Sequence, residues 1–136
     1  MHKTPSPEEI RARLTLFQRQ LDILRQMLGL ATLREKIEWE IKARQIALEY
    51  HLDQSAFIAT IRCESGFNPR AINKNPNGST DFGIAQFNNL WYGDIIGPDD
   101  ALNNPEKALR VMAQKWQEGK AADWVCYSTG KYRQFL

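Results

Sequence analysis

The sequence predicts an α+β protein, mostly helical, with one small β-hairpin sheet and an added N-terminal helical hairpin. Three observations point there. Apolar residues recur at helical spacing in several stretches, a single Asn-Gly pair precedes a short alternating segment, and 136 residues with 43% hydrophobic and 25% charged side chains suffice for one compact core. The expected division is a helical hairpin over residues 1–52, packed on a domain over residues 53–136.

Ile10, Leu14, Phe17, Leu21, Leu24 and Leu28 follow one another at spacings of 4, 3, 4, 3 and 4, forming one seam of a helix opened by Ser6-Pro7-Glu8-Glu9. Gly29 ends that helix in this reading. Thr32 and Glu35 then make a T-x-x-E capping box for a second helix with Leu33, Ile37, Ile41 and Leu48 along one face. Residues 8–52 therefore read as a hairpin whose apolar stripes pack on the rest of the domain. The other reading of the seam is self-association through residues 8–28.

A third helix begins after Asp53 as N-cap and runs through Phe57, Ile58 and Ile61 to about Ser65, where Gly66 and Asn68-Pro69 stop it. Residues at i, i+4 and i+7 share a helix face, so Glu64 lies on the stripe of Phe57 and Ile61. A negative charge in a last turn opposes the helix dipole, and an apolar surround makes ionisation harder still. The segment Asn73-Lys74-Asn75-Pro76-Asn77-Gly78-Ser79-Thr80-Asp81 then carries the hairpin signal, followed by alternating Thr80, Phe82 and Ile84. Alternation turns Ser79 and Asp81 away from the side of Phe82, leaving Asp81 free to face a cleft. Asn104-Pro105 opens a further helix with Leu109, Met112, Ala113 and Trp116 on one face, ending before Gly119, and a short helical segment follows around Asp123-Trp124-Val125-Cys126.

Several function classes fall away on composition. Eighteen basic against sixteen acidic side chains leave a charge of +2, far from the dense field of a nucleic-acid binder, so no nucleic-acid partner is expected. No apolar run approaches the roughly 18 residues of a membrane helix, so no membrane span is expected. His2, in a terminus that reads as disordered, and His51 are the only histidines, and no HExxH or Cys/His cluster occurs; no metal and no cofactor are expected. Cys63 and Cys126 lack CxxC spacing, which leaves one bridge open without requiring it. A cysteine hydrolase using Cys63 and His51 has no orienting acid and the wrong spacing for one helix face. No apolar h-region follows Met1, so no signal peptide is visible and the compartment must come from the chemistry.

Two carboxyl groups in unlike settings divide acid and base work, because an apolar wall holds the proton on one while a polar strand keeps the other ionised. Glu64 and Asp81 fit that division: Glu64 delivers a proton to a leaving oxygen, and Asp81, near Ser79, Asn73 and Asn75, sits beside a developing positive charge. A sugar carbon at a glycosidic bond is the natural target.

The run Glu64-Ser65-Gly66-Phe67-Asn68-Pro69-Arg70-Ala71-Ile72-Asn73-Lys74-Asn75, continued by Gly78-Ser79-Thr80-Asp81-Phe82-Gly83-Ile84-Ala85-Gln86-Phe87-Asn88-Asn89-Leu90-Trp91-Tyr92, closely resembles the active-site segment of the chicken-type lysozymes. It is also similar to the small lytic transglycosylases of the same superfamily. The likeness is weaker over residues 100–128 and does not cover the N-terminal hairpin. The resemblance implies a lysozyme-like catalytic domain over residues 53–136, with Glu64 as general acid and Asp81 as nucleophile or electrostatic partner. It implies that Asn75 and Ser79 orient that aspartate, that Gln86 and the backbone of Asn88 line the saccharide cleft, and that Trp91 and Tyr92 carry sugar rings on their faces. Trp124 resembles the tryptophan that walls the catalytic acid, and its neighbour Asp123 would line the cleft.

Departures from the lysozyme pattern are equally specific. Neither Cys63 nor Cys126 falls on a half-cystine position of those lysozymes, and the added helices of residues 8–52 would supply stability that disulfides supply there. Each cysteine sits beside a cleft residue, Glu64 or Trp124, which predicts that the two come close. The segment after Tyr92 is shorter, and Asp100-Ala101-Leu102-Asn103-Asn104-Pro105 reads more like the transglycosylase branch. The main expectation is a glycoside hydrolase, a muramidase cleaving the β-1,4 linkage of peptidoglycan, since transglycosylases often manage without an aspartate such as Asp81. The alternatives are a lytic transglycosylase forming 1,6-anhydro products and a non-catalytic glycan-binding protein. Peptidoglycan or a chitin-like oligosaccharide is the implied partner, and that substrate implies a secreted, periplasmic or cell-wall setting.

Overall fold

A computed structural model describes residues 3–136; His2 lies outside the described residues. In chain order the elements are α1 (Pro7–Glu49), α2 (Gln54–Ser65), β1 (Ile72–Lys74), β2 (Thr80–Phe82), β3 (Phe87–Asn88), α3 (Asn89–Tyr92), α4 (Pro98–Asn103), α5 (Pro105–Gln117) and α6 (Val125–Ser128), with 3-10 turns at Ala121–Asp123 and Lys131–Phe135. The chain divides into two compact units, Met1–Glu35 and Lys36–Leu136, so the boundary falls inside α1. No helix among the described residues is long and apolar enough to cross a membrane.

The expected N-terminal hairpin is replaced by one unbroken helix of 43 residues. Its start is as read from sequence: the Glu9 amide donates to Ser6 Oγ at 3.2 Å and the Ser6 amide donates to Glu9 Oε2 at 3.0 Å, a reciprocal capping box. Thr32 does not cap. Its hydroxyl donates to the Leu28 carbonyl one turn back, at 3.0 Å, a bond made from within a helix. A lone glycine costs a helix only about 1 kcal/mol, and with no proline behind Gly29 the surrounding Leu28, Leu30, Ala31 and Leu33 carry the helix through. The seam of Leu14, Phe17, Leu24 and Leu28 is exposed, where packing had been expected. Ile37, Ile41 and Leu48 are exposed as well, and the last turns of α1 instead bury Ala43, Ile46 and Ala47. Ion pairs flank that stripe on either side, Glu40 with Arg62, Lys42 with Glu106 at 2.7 Å and Glu49 with Arg110 at 2.6 Å.

Within the second unit, α2 begins where Asp53 accepts the Ala56 amide at 3.1 Å and ends at Gly66 in the left-handed conformation, φ 59°. Its Phe57, Ile58 and Ile61 join Ile46, Leu109 and Met112 in the core, and Trp116 meets Phe57 edge-on at 5.3 Å. Asn104 stands at the start of α5 as expected, but its side chain donates to Asp100 instead of capping. The hairpin has a third strand: β1, β2 and β3 form an antiparallel sheet in which Asp81 pairs with Asn73 on one side and Asn88 on the other. Gly83 lets this sheet approach α4. With φ +81° and an ideal Cβ only 2.0 Å from the Ala101 carbonyl oxygen, the position has no room for a side chain.

Candidate active site

A cleft of about 760 Å³ opens in the second unit. Glu64 from α2, Asp81 and Asn88 from the sheet, Trp91 and Tyr92 from α3, and Asp123 and Trp124 from the C-terminal turn all line it, as do Asn75, Ser79 and Gln86. Residues scattered over some sixty positions of the chain thus line one cleft.

Glu64 ends the apolar stripe of α2 and is half-buried. Burial is the largest influence on its carboxyl and pushes its pKa above the ordinary glutamate value; the charge of Asp81 pushes the same way, while the Cys126 amide and the Lys131 ammonium oppose. That amide donates to Glu64 Oε1 at 2.9 Å. Cys126 is joined to Cys63, the residue before Glu64, by a disulfide with an S–S distance of 2.10 Å.

Asp81 is caged by amides. Asn75 Nδ2 donates to its Oδ2 at 3.1 Å, and Asn88 Nδ2 donates to its Oδ1 at 2.9 Å. The same two amide nitrogens lie 3.1 and 2.9 Å from Ser79 Oγ, which is buried and itself donates to Asn77 Oδ1 at 2.6 Å. Ser79 therefore orients the asparagines that hold the aspartate. Asn88 works at both ends of its side chain, since its Oδ1 accepts the Leu90 and Trp91 amides at 3.0 and 3.4 Å as the N-cap of α3. One residue thereby sets the carboxylate and the aromatic pair that follows it.

Gln86 is buried with a left-handed backbone, φ 52°. Its amide is spent within the protein: Nε2 donates to the Ala71 and Gly83 carbonyls at 3.1 and 2.8 Å, and Oε1 accepts from Asn73 at 2.7 Å. It shapes the cleft wall and ties β1 to the turn after β2. Trp91 and Tyr92 part company. Trp91 is 79% exposed, whereas Tyr92 is buried, packs on Phe87 and Trp124, and donates its hydroxyl to Asp123 Oδ2 at 2.5 Å. Burial and the Asp123 charge hold that phenol well above its usual pKa, so it remains a donor. Trp124 is buried and anchored by its indole N–H to the Ala85 carbonyl at 2.7 Å.

Sequence reading did not single out Asn77, Lys115 or Lys120. Asn77 had a visible signal, because an Asn two residues before a buried Ser makes an Asx turn, here with the Ser79 amide at 2.9 Å. Lys115 and Lys120, both near Glu118, reach the cleft only because α5 ends beside the 121–123 turn. Among the described residues no group of three or more His, Cys, Asp or Glu side chains is placed to hold a metal ion.

Helices around a three-stranded sheet, with an acid-lined cleft beside it, define a lysozyme-like protein. Residues 42–119 match the family model of the transglycosylase SLT domain, more than half of the chain, and the chain belongs to that family. A shorter stretch is similar to lysozymes: 38 residues are 47% identical to lysozyme C-1 of Anas platyrhynchos, covering 28% of this chain and 26% of that protein. Likewise 36 residues are 47% identical to lysozyme C of Ortalis vetula, covering 26% and 28%. The chain thus spans about a quarter of the length of these curated relatives.

Proposed function

We propose that this protein cleaves the β-1,4 linkage between N-acetylmuramic acid and N-acetylglucosamine in peptidoglycan, as a lytic transglycosylase with Glu64 as the catalytic acid. The observation that carries this reading is the setting of Glu64, a carboxyl whose burial raises its pKa in a cleft it shares with the caged Asp81, in a chain of the SLT family. Glu64 protonates the glycosidic oxygen as its bond to the muramic C1 breaks, and the N-acetylglucosamine leaves with a free hydroxyl. Positive charge gathers on C1 and the ring oxygen, and Asp81 stabilises it. The muramic 6-hydroxyl then attacks C1 and returns its proton to Glu64, closing a 1,6-anhydro ring and restoring the acid. Trp91 offers its exposed face to a neighbouring sugar ring.

Hydrolysis is the second reading, favoured by one observation: the run from Glu64 to Tyr92, which includes Asp81, resembles the active-site segment of the chicken-type lysozymes. Water would then replace the 6-hydroxyl. Mass analysis of products from purified peptidoglycan separates the two. The proposal expects muropeptides lighter by one water than the reducing form, and reducing ends as the main product would reject it. A wild-type protein no faster than its Glu64→Gln variant would reject both in favour of glycan binding alone. Since peptidoglycan lies outside the cytoplasmic membrane, the proposed site of action is the periplasm, the wall or the cell exterior, and chitin-like oligosaccharides are a proposed second substrate.

A further inference from the structure

The disulfide joins the residue before the proposed catalytic carboxyl to the residue whose backbone N–H is hydrogen-bonded to that carboxyl. Cys63 precedes Glu64 in α2; Cys126, 63 residues later, supplies the backbone N–H that reaches Glu64 Oε1 at 2.9 Å. Carboxyl, amide, Cys126 side chain, disulfide and the Cys63–Glu64 backbone therefore form one closed ring across α2 and α6. The α6 helix has only four residues, too few for a self-supporting hydrogen-bond ladder, so the place of its second amide is set by tertiary ties. Among those ties are the bridge itself, the Trp124 indole bond to Ala85 at 2.7 Å, and Tyr127 set between Trp116 and Tyr132 at 4.9 and 5.0 Å, besides the packing of α6 on α2. Of these, only the bridge is covalently attached to the backbone that carries Glu64.

We propose that the Cys63–Cys126 disulfide is a positioning device for the acid, holding the Cys126 amide on Glu64 Oε1 so that the transferable proton resides on Oε2. An oxygen that accepts a backbone N–H cannot also carry a proton in that direction, so the amide selects which oxygen is the donor. This inference rests on the reading of Glu64 as the catalytic acid. The other charged groups that act on this carboxyl are Asp81 from β2 and Lys131 from the C-terminal 3-10 turn, and neither is attached to the bridge.

The test compares the native protein with the Cys63→Ser/Cys126→Ser variant below the unfolding temperature of both. Freed from the bridge, the amide leaves Oε1, the proton spreads over both oxygens, and the charged carboxylate loses a donor. Turnover should fall about tenfold with KM changed less than about twofold, and the alkaline limb of the kcat profile should move to higher pH. A disulfide that merely braces the fold would lower Tm and leave kcat and the limb where they were, and that result overturns the proposal. The native protein supplies a second arm that needs no variant. The Cys126 amide proton resonance should shift with the same midpoint as the Glu64 side-chain carbon, and an amide indifferent to that titration overturns the proposal too. If the native protein turns over no peptidoglycan, the functional reading fails, while these two resonances still decide whether the clamp exists.

Discussion

Replacing Glu64 by glutamine should stabilise the fold while removing the activity, and the stabilisation should depend on pH in a defined direction. The unfolded chain titrates this carboxyl near the ordinary value of 4.5, and burial raises it in the folded state. The folded state therefore holds a proton that the unfolded state releases first. The contribution to stability is fully present below 4.5 and is lost as pH rises through the folded value. Above that window the wild type carries the whole penalty of a buried charge, about 1.4 kcal/mol for each unit by which the carboxyl is raised. Glutamine is close in shape, carries no charge and keeps an oxygen to accept the Cys126 amide, so the substitution removes little else. Urea unfolding followed by tryptophan fluorescence should give nearly equal stabilities at pH 3.5, a gap that opens across the window, and a constant gap beyond it. Each unit of displacement corresponds to about 5 °C in Tm for a chain of this size. Turnover should drop by about two to four orders of magnitude, the usual contribution of a positioned acid. A stability difference that ignores pH, or a variant less stable than wild type at neutral pH, would refute the claim that burial controls Glu64.

Three further outcomes follow from single contacts. Gly83→Ala should lose about 3 kcal/mol or more, because its Cβ would meet the Ala101 carbonyl oxygen at 2.0 Å, whereas Gly78→Ala, at φ +87° with nothing within 4 Å, should lose only about 1 kcal/mol for its left-handed backbone; equal losses would remove the collision argument. Asn88→Ala should lose about 1 kcal/mol more than Asn75→Ala in denaturant unfolding, since both release Asp81 but only Asn88 also caps α3. Trp91→Ala should raise KM about fivefold, equivalent to about 1 kcal/mol of ring stacking, with Tm unmoved because the indole is 79% exposed; a falling Tm at constant KM would place Trp91 in the core instead.

Local signals in the sequence were legible wherever the chain itself terminates or turns. Asp53 and Gly66 bound α2, Pro105 opens α5, and the Asn77-Gly78 pair turns β1 into β2, each because one residue type suits that backbone. The third strand was not legible, because Phe87–Asn88 is two residues long and alternation needs more. The helical hairpin failed for a related reason. Gly29 and Thr32 are permissive of a break without enforcing one, and only a partner folded back against the first helix could decide between hairpin and rod. The residues Leu33, Ile37, Ile41 and Leu48 do form an apolar stripe, yet the core takes Ala43, Ile46 and Ala47, which lie well round the helix from it. Periodicity reports that a face is apolar; charge pairs such as Lys42 with Glu106 report which neighbour it meets, and those are long-range.

The cage around Asp81 bears on how the two carboxyl groups divide the proposed reaction. Each carboxylate oxygen receives an amide N–H, Oδ2 from Asn75 and Oδ1 from Asn88, and both donors are themselves fixed by Ser79. Such bonds draw electron density from the oxygens and hold them in place, which weakens the carboxylate as a nucleophile and suits it to stand as a fixed negative charge. A fixed charge stabilises a cationic sugar carbon whether the attacking oxygen belongs to water or to the sugar's own 6-hydroxyl. Asp81 therefore does not by itself select hydrolysis, and its cage is compatible with membership of the transglycosylase SLT family. What separates the two chemistries is whether the cleft admits water to C1 before the 6-hydroxyl closes. The aromatic lining, Trp91, Tyr92 and Trp124, is where the proposed reaction would exclude that water.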